Sequence, residues 1–549
     1  MKKYFLLIAI LFSISGFSQK ILEEKIYVAT DKPLYLSGET IYFKAFCTDK
    51  ESGKPIDLSK IGYVEVVRGQ QPFAQAIIQL KDGSGNGYLE LPASLISGTY
   101  TLRMYTNWMK NFGPSNFFHR TINIINPLSK EHPDLLVSSM LELSNSEFEN
   151  KPELKVGSLF DERSKVSVTI DMKGNEGYDL YATAYLMDKN GEPKKEGDGS
   201  QVEISRNQHN TAESVKIKFI PETQGHIIRA VANEDLAGKD VFLSVPGRPA
   251  KLYTGIPDST GAVTFLTAID GVGEVVVPQI YFEGSHRGNI KVLSPFSDEF
   301  IEEKQEGAGE IEADIQKSLL AQQVAYHYGL EEKIVKAERV DTSMFFPKTD
   351  YTYLLDDYTR FPTMEEVLRE YVAGVLVQKK GNNYRFESVS RDKFGIATVH
   401  QPVILIDGIP VSANAAIKLD PLKVKKLDIL TQSYYYGTAV FDGIISFQTY
   451  DGKLGEMNLD PGVIPVEYPG VQSSAIPLFP EYNTAQKKSS RLPDFRTTLY
   501  WNPSISKTSD GNFSFDFYTS DMKGKYRIVV EGMNKEGKTI RLEKEVMVK

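Results

Sequence analysis

Acid–base, nucleophilic or metal chemistry needs particular side chains at particular spacings, and few are arranged that way here. The seven histidines, His119, His132, His209, His226, His286, His327 and His400, are scattered singly. None falls in a His-Glu-x-x-His pattern, which would set two imidazoles around zinc on one helix face. Neither a Gly-x-Ser-x-Gly elbow nor a phosphate loop ending in Gly-Lys-Ser/Thr is expected. Cys47 is the one cysteine, which excludes an internal disulfide and a cysteine-rich metal cluster. Asp356-Asp357 and Glu365-Glu366 are paired acids. General acid–base catalysis, however, needs carboxyls facing each other across a substrate, and sequence neighbours do not provide that. They read as solvated loop acids and helix N-terminal acids. Asp161 with Glu162, or Asp82 with Asn86, offer oxygen ligands but no full calcium-loop spacing. The residues assign no catalytic, cofactor or metal site.

Tyr434-Tyr435-Tyr436 is more informative. Successive strand side chains point to opposite faces, so three consecutive tyrosines cannot share one core. At least one is exposed or lies in an interface, where a phenol offers apolar area with a polar tip. The run is therefore a candidate partner-binding anchor, with packing over a domain edge as the plainer alternative.

The elements that would position such groups are mostly strands. A chain of 549 residues exceeds one hydrophobic core, so several domains are expected. At 41% hydrophobic and 25% charged, it reads as ordinary folded protein. The net charge of -9 comes without a basic block, which argues against nucleic-acid binding. Twenty-nine Tyr, 29 Phe and 42 Gly favour strands and tight turns.

Met1 to Lys3 precede an apolar run from Tyr4 to Phe12, and Gly16 and Ser18 hold the small-residue positions before Gln19. This is the pattern of a secretory signal peptide over residues 1–18, cleaved between Ser18 and Gln19. No cysteine lies nearby for a lipid anchor. No later stretch approaches the roughly 20 apolar residues of a membrane helix, so the mature chain is expected to have no membrane-spanning segment.

Short strands separated by turns such as Asp31-Lys32-Pro33 and Asp82-Gly83-Ser84-Gly85-Asn86-Gly87 predict a β-sandwich over 19–126. A second sandwich is expected over 153–246, and a third β-rich module over 249–308, completed by later segments. Apolar residues at three- to four-residue spacing predict a long helix over 311–330. Thr363 with Glu366 forms a capping box for a shorter helix. That helix and the strands that follow it predict an α+β domain over 355–452. Prolines make 455–492 an extended linker, and 495–549 reads as a separate C-terminal sandwich-like module.

Tyr27-Val28-Ala29-Thr30-Asp31-Lys32-Pro33-Leu34-Tyr35-Leu36-Ser37-Gly38-Glu39, with Ser97-Gly98-Thr99-Tyr100 later, resembles the MG2 β-sandwich of the alpha-2-macroglobulin superfamily. The thioester traps of that superfamily need Cys-x-Glu-Gln. Thr48-Asp49-Lys50 follows Cys47 here, so covalent trapping is not implied. Gln401-Pro402-Val403-Ile404-Leu405-Ile406-Asp407-Gly408 and Tyr436-Gly437-Thr438-Ala439-Val440-Phe441-Asp442-Gly443 resemble the plug domain of TonB-dependent outer-membrane receptors. On this resemblance Asp407, Gly408, Gly437 and Gly443 are the plug-like motif. Too few residues follow Thr449 for the receptors' barrel. Phe495 to Pro503 resembles the last sandwich of exported Bacteroidota proteins.

The fold class expected is thus mainly β: tandem macroglobulin- or immunoglobulin-like sandwiches plus one α+β, plug-like domain. The function expected is a nonenzymatic envelope binding or assembly protein without cofactors. It would be periplasmic, outer-membrane-associated or at the cell surface, and partnered by an outer-membrane β-barrel or envelope assembly proteins. A glycan-processing enzyme or accessory, and a structural adhesin, are the competing readings. N-terminal sequencing from the envelope fraction is expected to start at Gln19; a chain retaining Phe5 to Phe12 would overturn the cleavage assignment.

Overall fold

Alternation of apolar and polar residues marks many of the strands, but the sheets they form ignore the order of the chain. The computed structural model describes residues 21–128, 143, 145–175, 177–187, 217–233, 236–246, 250–267, 275–280, 290–301, 315–328, 333–336, 345–391, 394, 396–452, 459–460, 463–509 and 511–549. The signal segment, with Ser18 and Gln19, lies outside them.

The first sandwich faces a sheet of Glu24–Thr30, Thr40–Asp49 and Ser84–Glu90 against one built from Leu34–Leu36, Phe118–Ile125, Gly98–Tyr105, Ile61–Arg68 and Gln71–Gln79. The Asp31-Lys32-Pro33 turn has a visible purpose. The Asp31 carboxylate accepts from the Tyr35 hydroxyl at 2.7 Å and from the Tyr42 N–H at 3.0 Å, tying turn, short strand and next strand together. Cys47 is buried between the sheets opposite Ile26, and desolvation pushes its thiol pKa well up.

The second sandwich is assembled from the two ends of the remaining chain. Tyr178–Leu186 pairs antiparallel with Gly524–Asn534 on one side and with Thr498–Asn502 on the other, while Lys165–Asp171 pairs with Phe513–Tyr518. Its core mixes Val166, Val168 and Ile170 with Phe513, Phe515 and Phe517. The expected sandwich over 153–246 and the separate module over 495–549 are thus corrected. Neither half can cover its own apolar face, and each completes the other.

The strands Ile227–Ala232 and Val241–Val245, expected in the second sandwich, belong instead to the third. There they join Lys251–Gly255, Ala262–Leu266, Val275–Ile280, Ile290–Val292 and the two-residue strand Val466–Glu467. The segment 455–492, expected as a linker, therefore adds to folded sheets. Val466–Glu467 extends the third sandwich, Val471–Gln472 extends the first, and Ala475–Leu478 pairs with Lys333–Lys336. The apolar anchors Tyr468 and Val471 are buried, so its prolines punctuate short strands rather than a solvated chain. The predicted long helix is described from Ile315 to His327.

Residues 351–449 form an α+β unit. Its five-stranded sheet runs in the order Tyr351–Leu354, Val424–Tyr436, Ala439–Thr449, Val403–Ile406, Ile409–Pro410. The capping box is formed: the Thr363 side chain accepts from the Glu366 N–H, and the Glu366 carboxylate accepts from the Thr363 N–H. It starts the helix Met364–Glu370, which buries Met364, Val367 and Leu368. Val403-Ile404-Leu405-Ile406 is apolar throughout because both faces of the sheet are covered. Ile404 and Ile406 pack toward the helix, whereas Val403 and Leu405 face Phe242 and Leu252 of the third sandwich. Leu405 is fully buried, so Leu405→Ala is expected to cost about 2–5 kcal/mol in chemical denaturation. An unchanged midpoint would show that this face is not a packed interface.

Candidate functional site

The motif residues of the α+β unit are spread along its sheet: Asp407 and Gly408 turn beside the end of strand Ala439–Thr449, Gly437 lies in the hairpin before its start, and Gly443 lies within it. Asp407 and Gly408 have φ of 47° and 81°, the pair of left-handed conformations that a tight hairpin turn requires. Asp407 holds the turn to the neighbouring strand, its carboxylate accepting from the Thr449 N–H at 2.8 Å and the Thr449 hydroxyl at 2.6 Å. A Cβ on Gly408 would lie 2.5 Å from the Ala250 methyl, and one on Gly437 would lie 2.2 Å from Thr254 Oγ1. Gly443 approaches Ser388 on the other side of the unit. The surface around Gly408 and Gly437, expected to face a separate protein, is therefore partly covered within the chain. Glycines at positions 408 and 437 let the third sandwich approach to backbone distance.

The three tyrosines separate as strand alternation demands. The Tyr434 hydroxyl donates to the Phe345 carbonyl at 2.9 Å, and its ring stacks with Tyr436 at 6.1 Å. Tyr436 also packs on Phe345 at 5.2 Å; burial, then the neighbouring Tyr253 and Tyr434, push its pKa up to about 12. Tyr435 points the other way and is 77% exposed, paired across the hairpin with Val440, which is 53% exposed.

Beside this hairpin lies a cavity of about 250 Å³ between the third sandwich and the α+β unit, where Asp240, Phe242, Gln401, Phe441 and Asp442 are among the lining residues. Asp240 Oδ1 is buried there without a hydrogen-bond partner among the described residues, as are Ser244 Oγ and Gln279 Oε1 elsewhere in the third sandwich. Among the described residues no group of three or more His, Cys, Asp or Glu is placed to hold a metal ion. Asp161, Glu162 and Asp82 therefore belong to no such group. Contrary to the expectation of no phosphate loop, Gly532-Met533-Asn534-Lys535-Glu536-Gly537-Lys538-Thr539 has the spacing of one. It is instead the hairpin between two antiparallel strands, with Asn534 Oδ1 accepting from the Glu536 and Lys538 N–H groups. No helix follows whose N-terminus could receive a phosphate.

Sequence reasoning missed the buried polar seams between modules. His226 of the third sandwich has Nδ1 2.9 Å from Glu222 Oε1 and Nε2 2.7 Å from the Tyr468 hydroxyl. The Tyr63 hydroxyl of the first sandwich donates to Glu222 Oε2 at 2.7 Å. A proton on Nδ1 lets every member of this set be satisfied. Nearby, Arg103 bonds Glu65 through Nε at 2.7 Å and donates to the Ser297 and Glu299 carbonyls at 2.8 and 2.7 Å. Lys110 donates to the Pro295 carbonyl at 2.5 Å and lies 4.6 Å from the Tyr63 ring centre. A cavity of about 50 Å³ adjoins it, shared with Lys218, Phe219, Arg229 and Asp298. The only local signal was a charged residue inside an apolar strand run, as in Val64-Glu65-Val66.

The sequence of residues 25–116 matches the MG2 domain family, so the first sandwich is MG2-like. No curated protein matches the chain. Among solved structures, it is similar to Salmonella alpha-2-macroglobulin reacted with methylamine, at 10% identity over 96% of this chain and 39% of that one, with a TM-score of 0.25. The native conformation of E. coli alpha-2-macroglobulin gives 10% identity, 96% and 40% coverage and a TM-score of 0.25. The Yersinia pseudotuberculosis adhesin InvE gives 12% identity, 52% and 64% coverage and a TM-score of 0.15. The chain spans well under two thirds of the macroglobulins' length, 39% and 40%.

Lys110 generates a pH prediction. Desolvation, then the repulsion of Arg229, lowers its pKa from 10.5 to about 7, against the opposing pull of Glu222, Glu65 and Asp298. Between those two values the unfolded chain holds a proton that the folded protein has released, so stability rises with pH across that window. Below about 7 both states are protonated and this contribution stays constant. Denaturation profiles of the wild type and Lys110→Met are expected to diverge as pH rises from about 7 toward 10.5, with the wild type gaining. Parallel profiles would remove Lys110 as the source.

Proposed function

We propose that this protein is a nonenzymatic binding or assembly component of a bacterial envelope, acting with an outer-membrane β-barrel or its assembly proteins. Export rests on the signal pattern ending at Ser18 and Gln19, which gives a periplasmic or outer-membrane-associated location. The α+β unit is proposed as plug-like on the resemblance carried by Asp407, Gly408, Gly437 and Gly443. The observation that carries the reading is the exposed Tyr435–Val440 pair on a hairpin whose other tyrosines are packed. A large amphipathic side chain held out from an anchored strand is a suitable interface anchor, since tyrosines are enriched among binding hot spots.

The glycan-processing reading would look to the seam cavity, where Asp240 and Asp442 lie with Phe242 and Phe441. Phe242 and Phe441 are only 2% and 3% exposed, so neither ring offers a platform to a sugar. The cavity also falls below the roughly 300–1,000 Å³ typical of small-molecule sites. A structural adhesin is the second reading that an observation favours. The second sandwich is closed between the early strand Tyr178–Leu186 and the late strand Gly524–Asn534, an arrangement suited to bearing tension.

Crosslinking in native membranes, read by mass spectrometry, separates these readings. Tyr435→Ser is expected to leave folding intact and weaken capture of a membrane-protein partner by about 2 kcal/mol, roughly thirtyfold. Tyr434→Ser is expected to lower stability instead, because its hydroxyl and ring are engaged. Unchanged crosslinks in the Tyr435 variant, or recovery of soluble glycans alone, would overturn the docking assignment.

A further inference from the structure

Two sheet edges of the first sandwich open on the same side, and a piece of the returning chain lies across both. Gln71–Gln79 is the outer strand of the larger sheet apart from Val471–Gln472, which pairs with it in parallel. Ser84–Glu90 is the outer strand of the smaller sheet. Val471 is buried in the first core, paired with Ile77, and adds an apolar side chain to those of the edge strand. Gln472 reaches the opposite sheet. Its Oε1 accepts from the Tyr88 N–H at 3.2 Å, and its Nε2 donates to the Tyr88 carbonyl at 3.0 Å. One carboxamide thus meets both main-chain groups of one residue, as an adjacent strand would do in an antiparallel ladder. Ser474 adds a bond to Asn86 at 2.9 Å. Gly87 makes this approach possible, since a Cβ there would stand 2.9 Å from Gln472 Oε1.

The slot is used sparingly. Of the nine residues in Gln71–Gln79, only Ile77 and Ile78 are paired on this side among the described residues. The flanks of the returning chain are held independently, Tyr468 by His226 and Ala475–Leu478 by Lys333–Lys336. Residues 471–474 can therefore leave the slot while both anchors stay in place.

We propose that this slot is an interaction surface for an extended polypeptide, which adds parallel to Gln71–Gln79 and displaces residues 471–474. The segment seen there defines the partner's chemistry: a β-strand with an apolar side chain in the Val471 position and a carboxamide in the Gln472 position. The tethered segment competes at an effective concentration on the order of millimolar, so a partner must pair over more of the edge to prevail. Residues 71–76 supply that additional edge. Strand addition takes affinity from main-chain bonds and specificity from alternate side-chain pockets, and this slot offers both. The inference deepens the proposed polypeptide-binding role and rests on it, but it does not involve Tyr435.

The test uses the full chain and a labelled synthetic peptide of residues 466–478, followed by fluorescence anisotropy. Val471→Asp with Gln472→Ala, which weakens the tethered strand, is expected to bind the peptide about tenfold more tightly than the wild type. A peptide carrying the same two changes is expected not to bind. Should the variant fail to fold, hydrogen exchange in the wild type decides: the Gln472 amide is expected to exchange by local opening, well ahead of amides in Gly98–Tyr105. A folded variant with no gain in peptide binding, or a Gln472 amide that exchanges only on global unfolding, would overturn the proposal. Neither measurement contains an envelope protein, so failure here leaves the Tyr435 crosslinking result standing.

Discussion

The antiparallel pairing of Tyr178–Leu186 with Gly524–Asn534 is the contact on which the rest depends. Tyr181 and Glu531 meet across 350 residues, and closing an unstructured loop that long costs about 5 kcal/mol in chain entropy before any contact offsets it. Folded modules inside the loop shorten it, because they bring its two ends together. Glu531 then fixes the geometry. It is fully buried and hydrogen-bonded to Tyr27 of the first sandwich, to Tyr181, and to Arg541 on the last strand. A carboxylate there is tolerable only with these partners in place, since an uncompensated buried charge would cost several kcal/mol.

The same logic recurs at the other seams. Glu222 draws together His226, Tyr63 and, through the imidazole, Tyr468, so three stretches distant in sequence share one hydrogen-bonded set. Arg103 and Lys110 hold the backbone of residues 295–299 against the first sandwich. Apolar surfaces alone would allow neighbouring sandwiches to slide. Directional bonds between buried polar groups select one relative placement, and their low-dielectric setting penalises any that leave a group unpaired.

Much of the local structure was legible and little of its assembly was. Alternation is plain in Lys165–Asp171, the Thr363 and Glu366 spacing marks a helix start, and the unbroken Val403–Ile406 run matches its two-sided burial. None of these patterns says which sheet a strand joins, because side-chain alternation is the same beside any partner. That is why Lys165–Asp171 was grouped with Ile227–Ala232 rather than with Phe513–Tyr518. Composition misled over 455–492, where prolines outweighed the spaced anchors Tyr468, Val471 and Tyr482. At the candidate site, strand geometry required the tyrosines to divide. That Tyr435 would be the exposed one depended on which face of the sheet met Phe345, and residue order does not encode that.

The interleaved second sandwich has a consequence for synthesis. A ribosome delivers about 5–20 residues per second, so Tyr181 must wait about 20–70 s for Glu531 to emerge. During that interval Val166, Val168 and Ile170 have no aromatic partners from Phe513–Tyr518 to cover them. The half-built sheet is then an open template with an apolar face, the kind of species that aggregates or recruits a holding chaperone. A chain arranged this way depends on its surroundings during birth more than tandem sandwiches of the same size would, because its earliest strands are completed by its latest.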